Sequence, residues 1–411
     1  MAIFDFNKSI ITDQSENSQF KLRFFIVTVF TLIVLLSETF FRKPLFDLSE
    51  NVEINFQNNI DPFFFKLITD IGTLPTFFPI MILFFIFLPL NIPFTLFSVI
   101  IHASYWDNIL KVIYGEARPY WVFRDLTPSC NGGFGNPSGH SMSSSAVYFS
   151  IWHILTNFQF FQKRLYMKIL LLILFTIVVI LLIFSRLVLA AHSINQVLFG
   201  GLLGITVYLY HFYAFQMDKL KSREFFEIFR SKRIRAIISI FYSSLFLISI
   251  ILYFAVSNSK VIADNSDYIN KNCERIEDYR KFNEDGLFNS LAIFGMIGAH
   301  IGLTLFTQFL ERKNLFVRYE EIYNFNQTNY KNKGIILFAL VLSGSPIALF
   351  FILPGNMELI LVYIFKIIIP YLLGTIGLFG LSLWFIISYK YCNEDIHVDP
   401  KDDQLTRRLS I

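Results

Sequence analysis

An all-α bundle of about ten transmembrane helices is the fold class this chain predicts, and three observations carry it. Hydrophobic residues make up 54% of its 411 positions and mean hydropathy is +0.53. Charged residues reach only 16%, against roughly 25% in an ordinary globular protein. So little polar surface cannot cover a soluble body of this size, so apolar side chains must face lipid. The third observation is that charge-free runs recur at lengths near the roughly 20 residues a helix needs to cross a bilayer.

The first run, Phe24 to Ser37, extends through Glu38 to Phe41 and follows Asn17–Arg23 without a small-residue cleavage site. It reads as an uncleaved anchor. No charge appears between Asp70 and Asp107, too long for one crossing, and Asn91-Ile-Pro93 supplies a turn between spans near 73–90 and 94–111. Further spans fall near 140–157, 169–185, 193–213, 236–257, 287–310, 335–354 and 359–388. Lys366, Pro370 and several Gly interrupt the last one, which predicts a kinked or re-entrant segment.

Lys and Arg orient the bundle, since cytosolic loops carry the excess. With both termini in the cytosol, 22 of the 35 fall in cytosolic segments and 12 on the opposite side. Lys219–Arg235 contributes most, and its Phe225, Phe226, Ile228 and Phe229 predict an interfacial helix, with a solvated basic loop as the alternative. The net charge of +4 is too small and too scattered for a nucleic-acid partner. No internal repeat occurs. Three cysteines are too few for a disulfide framework and lack zinc-ligand spacing. Cys130 and Cys273 both fall in expected extracytosolic loops, where a bridge or two free thiols remain open. The sequon Asn326-Gln-Thr328 falls on the cytosolic side and is expected to stay unmodified.

Chemistry concentrates in three separated segments that the topology places at one extracytosolic face. They are Lys111–Trp121, with Arg118-Pro119; Asn136–Met142, with Pro137-Ser138-Gly139-His140; and Ser185–Gln196, with Arg186 and His192. Phosphate asks for this inventory. Arg gives a bidentate fork and Lys a point charge. Ser138-Gly139 at a helix start gives backbone N–H groups, with Gly allowing close approach. One His serves as nucleophile and the other as general acid, then base. No metal or cofactor is expected, because no carboxylate cluster with metal spacing accompanies the set. His102, His153, His211 and His300 read as structural hydrogen-bonders.

Together, Lys-x6-Arg-Pro, Pro-Ser-Gly-His and Ser-Arg-x5-His resemble the signature of the type 2 phosphatidic acid phosphatase superfamily, over roughly residues 60 to 215. That group includes glucose-6-phosphatases and vanadium haloperoxidases. The resemblance implies a six-span phosphatase core at 24–215, a basic loop at 216–235, additional helices at 236–388, and cytosolic ends at 1–23 and 389–411. It implies His192 as the nucleophile that becomes phosphohistidine and His140 as the acid and base. Lys111, Arg118, Ser138, Gly139 and Arg186 are then the phosphate cradle.

Where the family commonly has Asp, four residues after the nucleophile, this chain has Gln196; the glucose-6-phosphatase branch is similar there. Placed i and i+4 on the sixth span, His192 and Gln196 would share a face, so the Gln carbonyl could hold the His tautomer. The leading expectation is hydrolysis of a lipid phosphate or pyrophosphate. The alternatives are a soluble sugar phosphate and a catalytically silent scaffold or lipid transporter. The expected setting is an endomembrane such as the endoplasmic reticulum, or the plasma membrane, with homo-oligomerisation left open.

Overall fold

The computed structural model describes residues 14–130, 133–220, 222–256, 259–273, 286–287, 289–312 and 362–384, with single positions at 334, 337 and 341. Among the described residues the chain is helical, with no strand. The principal helices are α1 (Gln14–Asn59), α2 (Pro62–Ile71), α3 (Leu74–Phe87), α4 (Asn91–Tyr114), α5 (Gly139–Thr156), α6 (Leu165–Val188) and α7 (Ile194–Tyr208). After them come α8 (Ser222–Arg230), α9 (Lys232–Ala255), α10 (Ser259–Asn272), α11 (Phe294–Arg312) and α12 (Ile369–Ile376).

Among the described residues five stretches are long and apolar enough to cross a membrane: Ser18–Asn59, Leu165–Val188, Ile194–Lys219, Lys232–Ala255 and Leu291–Arg312. These five do not by themselves establish the expected count of about ten. Helices do lie on the expected spans near 73–90, 94–111 and 140–157, but they are shorter or carry more polar side chains. The α4 helix shows why. It is buried from Asn91 to Val112 along most of its length, so its neighbours are protein and not lipid. Its polar groups are satisfied within the helix: Thr95 Oγ1 donates to the Asn91 carbonyl (2.6 Å) and Ser98 Oγ to the Phe94 carbonyl (2.8 Å). The expected span at 335–354, the sequon at Asn326 and Lys366 fall outside the described residues or side chains. In the last expected span, Ile369–Ile376 is flanked by π-helical turns at Val362–Ile368 and Gly377–Leu381, an interrupted helix of the kind Pro370 and the glycines predict.

Two expectations are corrected. The first helix does not stop near Phe41 but runs through Pro44 to Asn59. Tertiary contacts hold the extra turns. Phe46 stacks near Phe123 (5.3 Å between centroids), the Ser49 hydroxyl accepts the Ile194 N–H (2.8 Å), and Gln57 Oε1 accepts the Thr127 N–H (2.8 Å). The second correction concerns α8. Phe225, Phe226 and Phe229 do not face a membrane surface. They are at most 2% exposed and pack edge-on against Phe94 and beside Phe306 and His300. An apolar helix face fits protein as well as lipid, and here protein takes it.

A cluster built from Leu96, Val99, Met142, Val147, Leu182, Phe199 and Leu203 joins α4, α5, α6 and α7. Two glycines let α7 lie close against α5. A Cβ at Gly200 would sit 2.5 Å from the Ser138 carbonyl oxygen, and one at Gly204 would collide with the Met142 carbonyl. The opposite side of α4 packs on α3, α8, α9 and α11. Alternating helix directions bring the ends of α4 and α6 and the starts of α5 and α7 to one end of the bundle. A third cluster, with Tyr120, Trp121, Phe134, Ala190 and Ile269, covers that end. There the disulfide Cys130–Cys273 ties the loop after Arg118 to the segment following α10. Of the two states left open by the sequence, the structure carries the bridge.

Candidate active site

The three motif segments meet at this end. The Lys111–Trp121 segment closes α4 at Gly115, whose φ of 53° is a left-handed cap that suits glycine. From there the chain turns so that Arg118, 4% exposed, enters the bundle. Its Nε donates to the Gly133 carbonyl (2.9 Å) and its Nη1 to the Ala191 carbonyl (2.8 Å). The same Nη1 lies 3.2 Å from His192 Nε2.

His192 is buried, and its Nδ1 lies 2.8 Å from the Gly135 carbonyl oxygen. A carbonyl only accepts, so Nδ1 carries the proton and, in the neutral ring, Nε2 keeps a lone pair. Burial, and then the charges of Arg118, Arg186 and Lys111, push the His192 pKa well below its ordinary value. The ring is therefore held neutral, its lone pair on the side of the Arg118 guanidinium.

Two points differ from the sequence expectation. His192 lies before α7 and not on it: Ser193 is the N-cap, and Gln196 is the third helical residue. Gln196 Oε1 does approach His192 Nδ1, at 3.3 Å, but the Gly135 carbonyl is the nearer acceptor. Most of Gln196 serves the backbone. Its Oε1 accepts the Ser193 N–H (3.2 Å) in a capping box, and its Nε2 donates to the Ala117 carbonyl (2.9 Å). The other difference is at Ser138. It is the N-cap of α5, yet its own N–H is committed to the Gln196 carbonyl (2.9 Å). The donors offered by that helix start are then the first-turn N–H groups from Gly139 onward, which have no intrahelical acceptor.

The remaining expected residues surround this centre. His140 opens α5, with Arg186, Lys111 and Arg118 within electrostatic reach. Arg186 is 4% exposed, and its Nη1 donates to Thr69 Oγ1 on α2. Lys111 Nζ pairs with Asp107 Oδ2 (2.8 Å), one turn back on α4. That carboxylate lies against Gly139, where a Cβ would come within 2.6 Å of Oδ2. Gly139 is therefore needed for close approach at the helix start. Buried cations, a lone-pair nitrogen and helix N–H groups gathered at one end of the bundle are the donor set that a phosphate group needs.

Sequence reasoning missed the Gly135 carbonyl, Thr69, Asp107, Glu38 and Arg42. Glu116, Asn136 and Asn195 lie inside the motif segments and were passed over beside the cations.

Residues 92–220 match the PAP2 superfamily. Over that region the chain is similar to the PAP2 superfamily. All eight expected site residues fall within the PAP2 region, whereas Glu38, Arg42 and Thr69 lie before it. Glucose-6-phosphatase catalytic subunit 1 of Bos taurus and that of Mus musculus are each 27% identical over 175 residues, covering 38% of this chain and 48% of the relative. The Rattus norvegicus protein is 25% identical over the same length. The chain thus spans about half the length of the curated relatives it matches. No solved structure matches it significantly.

Within the PAP2 region, replacement of Gln196 by alanine removes the capping box, the hold on Ala117 and the second acceptor near His192 together. We expect turnover to fall about ten-fold, roughly 1.4 kcal/mol of barrier. Initial rates of phosphate release measure it, and unchanged turnover would leave orientation of His192 to Gly135 alone.

Proposed function

We propose that the chain is an integral-membrane phosphatase that hydrolyses a phosphomonoester through a phosphohistidine. The observation that carries this reading is the setting of His192. Its Nδ1–H is held by the Gly135 carbonyl, and its Nε2 lies 3.2 Å from Arg118 Nη1.

In the first step Nε2 of His192 attacks phosphorus, and the bond from phosphorus to the ester oxygen breaks. His140 gives its proton to that oxygen, and the alcohol leaves. In the second step His140 takes a proton from water, and the resulting hydroxide attacks phosphorus. The P–N bond breaks, freeing inorganic phosphate and neutral His192. Arg118, Arg186, Lys111 and the first-turn N–H groups of α5 hold the equatorial oxygens throughout, the positioning and charge stabilisation on which phosphoryl transfer mostly depends.

The glucose-6-phosphatase relatives favour a sugar phosphate as substrate. A lipid phosphate is the second reading, favoured by the apolar outer face of α6, the helix that carries Arg186 in its last turn, where Leu170, Ile173, Leu174 and Ile177 are about half exposed.

The test is a phosphate-release assay on the purified full chain, comparing glucose 6-phosphate with a lipid phosphate in liposomes. A rate above the His192→Ala blank on either substrate supports the reading, and the preferred substrate selects its class. Equal rates for wild type and blank on both would overturn it. With a cationic cradle we expect the rate to survive EDTA and to fall with vanadate, a trigonal-bipyramidal mimic. Activity lost to EDTA and restored by magnesium would refute the metal-free mechanism.

A further inference from the structure

Behind the phosphate site lies a polar knot that draws one residue from each motif segment to the first helix. Glu116 stands two residues before Arg118. Asn136 precedes Pro137-Ser138-Gly139-His140. Asn195 lies between His192 and Gln196. Asn136 Nδ2 donates to Glu38 Oε1 (2.5 Å) and to Glu116 Oε2 (2.6 Å). Asn195 Nδ2 donates to the same two carboxylates, at 3.4 Å to Glu38 Oε1 and 3.0 Å to Glu116 Oε1. Each amide therefore bridges both acids. Arg42, one turn beyond Glu38 on α1, donates its Nε to Glu116 Oε2 (2.8 Å) and its Nη2 to the Tyr114 carbonyl (3.3 Å).

We propose that Glu38 and Glu116 are positioning residues that set the spacing of the three motif segments, with α1 supplying one of the two acids. The inference rests on the phosphatase reading. Four buried or half-buried polar side chains joined by shared hydrogen bonds behave as a unit, and loss of one leaves its partners with desolvated, unmet groups. The backbone consequences are direct. Asn136 is adjacent to Gly135, whose carbonyl holds His192 and whose N–H donates to the Glu116 carbonyl (2.8 Å). Asn195 is three residues from His192 itself. A displacement of about 1 Å between a nucleophile and its target can cost on the order of a hundredfold in rate. The knot opposes displacement of that kind.

Its bonds also make the two acids inequivalent. Both amide donors at Glu38 converge on one oxygen, Oε1, so a glutamine carbonyl there can accept the same pair. Glu116 uses both oxygens as acceptors: Oε2 for Arg42 and Asn136, Oε1 for Asn195. Glutamine at 116 must turn an NH2 group toward one of those donors and lose a bond.

The experiment measures kcat and KM for p-nitrophenyl phosphate with the full chain in detergent, for wild type, Glu38→Gln, Glu38→Asp, Glu116→Gln and His192→Ala, each with its thermal midpoint. We expect Glu38→Gln to keep kcat within about threefold of wild type, while Glu38→Asp, one methylene too short, and Glu116→Gln lose about tenfold or more. The two glutamine variants preserve volume, so a merely space-filling role would move them alike. Equal kcat in those two variants, or a wild-type rate in Glu38→Asp, overturns the positioning role while leaving the phosphatase reading intact. Should Glu38→Asp fail to fold, the contrast between the glutamine variants still decides. A wild type no faster than His192→Ala refutes the phosphatase reading, and the inference falls with it.

Discussion

His192→Ala is expected to lower phosphate release by at least about a thousandfold, roughly 4 kcal/mol of barrier. His140, the other imidazole of the site, is assigned to the leaving oxygen and to water in the proposed mechanism. Arg118 and Arg186 are donors only, and Lys111 Nζ is paired with Asp107 Oδ2 at 2.8 Å. The variant removes the atom that bonds to phosphorus without emptying the anion site, so vanadate should still bind it. Binding is read by the ligand's shift of the thermal midpoint. A brief incubation of wild type with 32P-labelled substrate, quenched in alkali, should trap an acid-labile, base-stable phosphoenzyme that His192→Ala lacks. An alanine variant turning over at a tenth of the wild-type rate would mean that water attacks phosphorus directly and His192 has another role.

Arg118→Lys is the second large effect. Lysine keeps the charge but not the fork. The guanidinium spans the Gly133 carbonyl through Nε and the Ala191 carbonyl through Nη1 while the same Nη1 faces His192 Nε2. A lysine Nζ is a single point that cannot reach both carbonyls from one position. At least one buried carbonyl then goes unmatched, and the equatorial oxygens lose a planar partner. We expect kcat/KM to fall by about a hundredfold or more, roughly 2.7 kcal/mol, with vanadate inhibition weakened in parallel. Wild-type kcat/KM in Arg118→Lys would show that only charge matters there.

The helical class and the site's main side chains could be read from the sequence because their chemistry is carried by residue type. Two His, two Arg and a Lys at helix ends are costly in apolar surroundings, and their coincidence in three segments carries information. What could not be read has equally specific causes. Every residue has a carbonyl, so nothing marks Gly135 as the acceptor for His192. Glu38 and Arg42 are single charges at the far end of an apolar run, where snorkelling anchors look the same. The aromatic face of α8 fits lipid and protein alike. Proline removes a helix donor, yet contacts from Phe46 to Gln57 carry α1 past Pro44. Gln196 was legible as a neighbour of His192, whereas its place in the capping box depends on where α7 begins, a boundary that hydropathy cannot locate.

The length of α1 bears on how this protein could be cut or grafted. The PAP2 region is contiguous in sequence, from 92 to 220, and invites treatment as a portable module. Excised, it would take Asn136, Asn195, the Ile194 N–H and Arg186 away from Glu38, Ser49 and Thr69, the acceptors that α1 and α2 supply. Glu116 alone would remain for the two amides, and the Ile194 N–H and Arg186 would lose the acceptors that hold them, a costly loss beside lipid or detergent. The smallest unit able to retain a formed site begins before Glu38, so the functional boundary of the domain lies more than fifty residues upstream of its recognisable one.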